Sequence, residues 1–259
     1  MKRIIFIFNI IVFMTLSSCA RAPVRHAPVL QTIGPYSVIP GQIVTVPDAL
    51  RSDIFHEVGP GETVWRISKM YGVEIQDIVN ANSLSDASVL EKGQRLFIRD
   101  AAPLMTMIPL WPSRKWDYII IHHSATDVGN ALSFDYVHSN RRRWRKGLGY
   151  HFVIDNGTSG KKDGQIEVSP RWLHQENGAH CRADDMNYRG IGICLVGNFS
   201  EDRVTPNQMK SLVFLVKELK KYYHIPDPNI LGHGRVMGAT TECPGKRFPL
   251  SEFRPRLKP

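Results

Sequence analysis

Apolar residues recur at two different periods along this chain, and the changes of period mark its parts. From His56 to Ile98 the order reads strand, helix, helix, strand. His56-Glu57-Val58 is a short strand, and Gly59-Pro60-Gly61-Glu62-Thr63 is a turn ending in a helix N-cap signal. Val64, Ile67 and Tyr71 share one helical face, and Ile75, Ile78 and Val79 share the face of a second short helix. Leu90 to Ile98 supplies the closing strand. Trp65, in the first helical turn, reads as core.

Beyond residue 113 buried-strand runs alternate with helical patterns. Residues 116–121, 149–154, 191–199 and 230–234 are the strands. Leu132 to Arg145 reads as a helix with Arg141, Arg142, Arg143 and Arg145 as a solvated face near its C-terminal end. Thr205-Pro206 opens another helix, with Met209, Leu212, Val213, Val216, Leu219 and Tyr223 on one face. This order predicts an α/β unit over residues 114–255, a mixed central sheet flanked by helices, beside a small βααβ unit over 55–99. Residues 19–54 carry Pro23, Pro28, Pro35, Pro40 and Pro47 and read as an extended tether; residues 100–113, with Pro103, Pro109 and Pro112, read as a linker. At the N-terminus, Lys2 and Arg3 precede the apolar run Ile4 to Met14, too short to span a bilayer but suited to a signal peptide over residues 1–18.

Charge is uneven. Residues 57–95 hold four basic and six acidic side chains, whereas residues 110–259 hold 23 basic and 15 acidic, a net +8. A basic surface suits an acidic polymer or anionic lipid. A nucleic-acid partner is not expected, because no basic-aromatic motif accompanies the charge. The cysteines are Cys19, Cys181, Cys194 and Cys243. Cys181 and Cys194 could pair, and the sequence leaves that open.

The candidate chemistry sits at strand ends. His122 and His123 close one strand, and alternation turns them to opposite faces. His233 lies near the end of another strand, and Cys243 lies in the loop after it. Two imidazoles and a thiolate suit zinc, with a fourth position left for water.

Three stretches carry resemblances. HEVGPGETVWRISKMYGVEIQDIVNANSLSD, followed by LEKGQRLFI, resembles a LysM module. That resemblance implies glycan binding between the loop Gly59 to Thr63 and the loop Asn82 to Asp86, with Val89 nearby. Leu16-Ser17-Ser18-Cys19 resembles the lipobox of bacterial lipoproteins. It implies acylation of Cys19, attachment to a membrane through that lipid, and a place in the cell envelope, on the outer membrane facing the periplasm.

YIIIHHSAT, GLGYHFVID, GAH, MNYRGIGICLVGNF, ILGHG and TECPG, in that order, resemble the type-two N-acetylmuramoyl-L-alanine amidases and the peptidoglycan recognition proteins. The resemblance implies one zinc per chain in a cleft, held by His122, His233 and Cys243. It implies Tyr150 and Thr241 as catalytic groups, and His180, Asn187 and Tyr150 as substrate contacts. His123 and His151 read as structural. The implied reaction is hydrolysis of the amide between the lactyl group of N-acetylmuramic acid and L-alanine in peptidoglycan, by a monomer. The glycan strand would be held by the LysM unit and the muramyl-peptide by the amidase unit. Two rivals are a non-catalytic peptidoglycan receptor and an amidase for soluble anhydro-muropeptides. Retained ligand positions weigh against the first, and a wall-binding module against the second. The chain departs from the family pattern at Gly190, where Ser is usual, and at residues 157–167, which read as an insertion.

Overall fold

A computed structural model describes residues 29–33, 50–112 and 114–258 of the chain. The expected signal segment and Cys19 lie outside the described residues. No described helix is long and apolar enough to cross a membrane.

Strand β1 (Val29–Ile33) pairs antiparallel with a strand in the expected linker, described below. The small unit then forms as β2 (Ser52–Glu57), α1 (Val64–Tyr71), α2 (Ile75–Ala81) and β3 (Arg95–Ala101), with β2 and β3 antiparallel. The Thr63 hydroxyl caps α1 by accepting from Arg66 N at 3.2 Å, and Gly72 ends it in a left-handed conformation. Val58, Val64, Ile67, Ile78, Leu96 and Ile98 fill the core between helices and strands.

The expected linker is largely ordered. Within it β4 (Thr106–Leu110) pairs with β1 and divides its side chains between two cores. Met107 packs into the small unit, while Ile108 and Leu110 pack into the large one. Each such burial is worth about 1.5–3 kcal/mol, so this segment fastens the units together.

The large unit is built from β5 (Tyr118–His123), α3 (Ala131–Tyr136), β6 (Phe152–Asn156), β7 (Asp163–Val168), α4 (Pro170–Leu173), α5 (Met186–Arg189), β8 (Gly190–Leu195), α6 (Pro206–Tyr223), β9 (Ile230–Gly232) and α7 (Leu250–Phe253). The sheet order is β7-β6-β8-β5-β9, antiparallel only between β7 and β6. Mixed sheet and flanking helices match the fold expected from the strand-helix alternation. Ile119, Ile121, Ile191, Ile193 and Leu195 point to one face, where Leu212, Leu215, Val216 and Leu219 of α6 cover them. The opposite face carries Ile120 and His122 from β5 and Gly190, Gly192 and Cys194 from β8, and it becomes the floor of the site.

Two expectations need correction, and a third segment gains a place in the sheet. The helix expected over 132–145 stops at Tyr136 and passes through a wider π-type turn, Val137–Arg141. Asp135 Oδ1 accepts from Leu148 N at 2.9 Å and His138 Nδ1 from Gly149 N at 3.1 Å, which folds the chain back and leaves Arg141, Arg142 and Arg143 exposed beyond the helix. The segment read as an insertion supplies β7, an edge strand of the main sheet. Trp65 is not core: it is 47% exposed and, with Trp111 and Leu173, lines a groove of about 190 Å³ where the units meet. Helical periodicity places Trp65 beside Arg66, whose guanidinium takes the inward position and donates to Met107 O at 2.9 Å.

The units meet through charge as well as through β4. Lys161 is buried, its ammonium 3.2 Å from Glu167 Oε2 and donating to Glu57 O at 3.3 Å. Glu167 Oε1 accepts from Ala131 N at 2.6 Å. Glu62 Oε2 accepts from Gly59 N at 2.7 Å and lies 2.7 Å from His56 Nε2. Burial pushes the Glu62 carboxyl up, but the His56 ring, Lys161 and the Gly59 amide outweigh it and hold the group at about 2. Burial and the adjacent Glu167 charge push the Asp155 carboxyl well above the usual range, so it stays neutral. Lys92 Nζ adds an ion pair to Asp135 at 2.6 Å. Gly59 and Pro60 of the expected glycan loop are consequently buried, whereas Gly61 and Thr63 remain exposed.

Candidate active site

Parallel strands β5 and β9 are neighbours, so their C-terminal ends open onto the same edge of the sheet, the usual place for a ligand site in such folds. His122 lies at the end of β5 and His233 directly follows β9. Their ring centroids are 4.6 Å apart. The loop after β9 brings Cys243 back over them, its sulfur 3.6 Å from His122 Nδ1. One donor atom from each of His122, His233 and Cys243 lies within 4.8 Å of the others. His123, one residue on, faces away as alternation requires, and its Nδ1 accepts from Phe199 N at 3.1 Å. Its backbone N–H donates to the Cys243 sulfur at 3.4 Å.

The environment favours neutral donors. Burial, then the neighbouring His180 and His233 rings, hold His122 well below the usual imidazole range. Burial lowers His233 as well. The Cys243 thiol is pushed up to about 11, chiefly by burial, so without a cation it keeps its proton. Two imidazoles and one thiol, with no fourth protein donor in the group among the described residues, match the ligand set of a zinc site that keeps one position open.

Tyr150 lines the same cleft, its ring centroid 5.3 Å from that of His122. Burial, followed by the nearby Cys194 and Cys243, drives its phenol well above the ordinary range, so it remains a donor. Thr241 is exposed at the rim, and its hydroxyl oxygen accepts from Cys243 N at 3.2 Å.

Two of the three expected substrate contacts, His180 and Asn187, are held by hydrogen bonds within the protein. His180 is buried behind His122, with its Nδ1 3.1 Å from His122 Nε2 and its Nε2 3.2 Å from Gly190 O. Asn187 faces inward too: its Oδ1 accepts from His180 N at 2.7 Å and Cys181 N at 2.8 Å, and its carbonyl from Gly178 N at 2.8 Å. Both His180 ring nitrogens and the Asn187 Oδ1 are thus taken by neighbours within the protein. His151 Nδ1 accepts from Gly192 N at 2.9 Å and its Nε2 donates to Glu176 O at 3.0 Å, in keeping with a structural role. Cys181 and Cys194 are both free thiols.

Residues 112–246 match the family model for N-acetylmuramoyl-L-alanine amidase, and residues 56–99 match that for the LysM domain. Peptidoglycan-recognition protein SC1a of Drosophila melanogaster is 31% identical over 137 residues, covering 49% of this chain and 67% of that protein. A probable endopeptidase p60 of Listeria innocua is 43% identical over 54 residues, covering 21% of this chain and 11% of that protein. Among solved structures, N-acetylmuramoyl-L-alanine amidase LysC from Clostridium intestinale has 34% identity and a TM-score of 0.47, covering 55% of this chain and 85% of that one. With more than half of its length matched, and with a LysM domain preceding the matched region, the chain belongs to the N-acetylmuramoyl-L-alanine amidase family.

Proposed function

We propose that this protein is a zinc-dependent N-acetylmuramoyl-L-alanine amidase that cuts the lactyl–L-alanine amide of peptidoglycan while its LysM domain holds the glycan strand. The observation that carries the reading is the convergence of His122, His233 and Cys243 within 4.8 Å at the open edge of the sheet, beside the Tyr150 phenol. These three residues would hold the zinc, which when bound supplies Lewis acidity and a water of lowered pKa. Tyr150 keeps its proton and, through it, donates a hydrogen bond to charge developing on the amide oxygen. The Thr241 hydroxyl can donate a second hydrogen bond to the same oxygen from the rim, since the Cys243 amide occupies only a lone pair. Complete retention of the ligand set and of Tyr150 favours hydrolysis over a purely receptor role.

The test is product analysis on purified cell walls with zinc content measured in parallel. Stem peptides beginning with L-alanine, released by protein carrying one zinc per chain, support the reading. Release of sugars, or stable protein without stoichiometric zinc, overturns it. Anchoring is a separate proposal: acylation of Cys19 would hold the protein on a membrane of the envelope, the outer one where the cell has two. Cys19→Ser should then move it from the membrane to the soluble fraction, and a variant still sedimenting with membranes after a high-salt wash would refute the anchor.

A further inference from the structure

His122 has two ring nitrogens, and only one faces the cleft. Its Nδ1 points toward Cys243 at 3.6 Å, and its Nε2 lies 3.1 Å from His180 Nδ1. An imidazole pair at that distance needs one N–H and one lone pair. The far side of His180 decides which ring supplies which. His180 Nε2 lies 3.2 Å from Gly190 O, a carbonyl that can only accept, so that nitrogen carries the proton. An imidazole ring with its one N–H on Nε2 has a lone pair on Nδ1. His180 Nδ1 is therefore an acceptor, His122 Nε2 is the donor to it, and His122 Nδ1 is left as a lone pair.

The fold is shaped around this ring. On β8 small and large residues alternate, and the small ones face the site: Gly190, Gly192 and Cys194. A Cβ at Gly192 would stand 2.3 Å from Cδ2 of the His180 ring, and a Cβ at Gly178 would stand 2.3 Å from the same atom. Both distances are closer than packed atoms allow, so the two glycines make the slot that His180 occupies. The strap carrying it is fixed by the Asn187 side chain, which takes the amide protons of His180 and Cys181. A ring wedged between glycines and held at both nitrogens has little freedom to turn.

We propose that His180 is a positioning residue that locks the tautomer and orientation of His122, so that His122 presents Nδ1 to a cation shared with His233 and Cys243. This rests on the zinc reading of the site, in which the hydrogen-bond partner of a ligand imidazole tunes affinity. His180→Phe keeps a ring in the slot and removes both nitrogens. His180→Asn keeps an acceptor oxygen near the position of Nδ1. Zinc affinity is measured by competition with a chromogenic chelator, and the tautomer by long-range proton–nitrogen NMR of the imidazoles in metal-free protein.

The expected result is a zinc affinity reduced about 10- to 100-fold in His180→Phe and substantially recovered in His180→Asn. In metal-free wild-type protein His122 should carry its proton on Nε2, and in folded His180→Phe it should populate both tautomers. A His122 ring protonated on Nδ1 in wild-type protein would overturn the proposal, as would equal zinc affinity in all three proteins. The NMR arm needs no metal, so a wild-type protein that binds no zinc would sink the metal reading and still leave the His122–His180 geometry decided by the spectrum.

Discussion

Around Lys161, opposite charges meet in the protein interior: an ammonium, the Glu167 carboxylate and, across the domain junction, the Glu62 carboxylate with its His56 partner. Around His122 the buried polar groups are imidazoles, a phenol and thiols, with burial holding the rings neutral. The first cluster sets the Lys161 ammonium against Glu167, with Asp155 kept protonated beside them. The second brings one donor atom each from His122, His233 and Cys243 together at the sheet edge. A buried ion pair holds parts of the fold in place, and losing one member leaves another charge stranded. A cluster of neutral donors facing one point can receive a cation, and losing a member removes the ligand while sparing the scaffold. The two regions should therefore answer mutation in opposite currencies, stability at Lys161 and chemistry at His122.

The sharpest division is expected from Cys243→Ala. It should abolish zinc retention and lower turnover by at least about a thousandfold, given the several kcal/mol that a catalytic metal supplies. Metal-free wild type and variant should melt within about 1 kcal/mol of each other in urea, since the thiol is small and only partly buried. Wild-type turnover in the variant would erase the distinction between the regions. Lys161→Met should show the reverse pattern, losing about 3–5 kcal/mol in urea because Glu167 remains buried without its cation. Its zinc content should stay at the wild-type level; a simultaneous loss of zinc would join the two regions into one.

Tyr150→Phe should keep both zinc and stability but slow turnover about a hundredfold, the scale of one lost oxyanion donor. A turnover within threefold of wild type would remove Tyr150 from the chemistry. The smaller effects are at the junction. Glu62 has a folded pKa of about 2 against an ordinary 4.5, so its contribution is complete above pH 4.5 and fades as pH falls toward 2. That contribution is on the order of 3 kcal/mol, and Glu62→Gln should flatten the stability profile in this window while leaving the profile above it parallel. Denaturant midpoints taken between pH 2 and 6 decide it, and an equally steep profile in Glu62→Gln would assign acid sensitivity to another group. Trp65→Ala, at an exposed position, should cost under about 1 kcal/mol of stability.

These contrasts also mark what could be read without coordinates. The small unit was legible because Val64, Ile67, Ile75 and Ile78 obey helical periodicity within a short contiguous stretch. The alternation of Ile119, Ile121 and their neighbours made the sheet legible, and the same alternation separated His122 from His123. The placing of His122, His233 and Cys243 at strand ends and in the following loop suggested their convergence, and the family motifs made it specific, since nothing local links residues so far apart in sequence. Lys161 gave no signal: its role depends on Glu167, Glu62 and Glu57 O, brought together by packing between units. His180 and Asn187 lie in family motifs and were read as substrate contacts, yet which way they face is set by the Gly192 slot and by the strap's amides. The β8 pattern of small residues alternating with Ile and Leu was the available clue, because a strand that repeatedly places no bulk on one face leaves room for something to lie there. Trp65 misled because its period fits either the edge or the interior of a helix face, and Arg66 takes the inward place.

The docking of the LysM loop onto the catalytic unit changes what a wall-binding module contributes. A module on a flexible tether raises the effective concentration of substrate in every direction, by an amount set by tether length. Here Gly59 and Pro60 are buried at the junction and β4 is shared between two cores, so no such free sweep exists between glycan loop and catalytic cleft. If the exposed remainder of that loop holds a glycan strand, the distance from grip to cleft is constant. The module then works as a ruler, and stem peptides would be removed at sites in fixed phase with the sugar it grips.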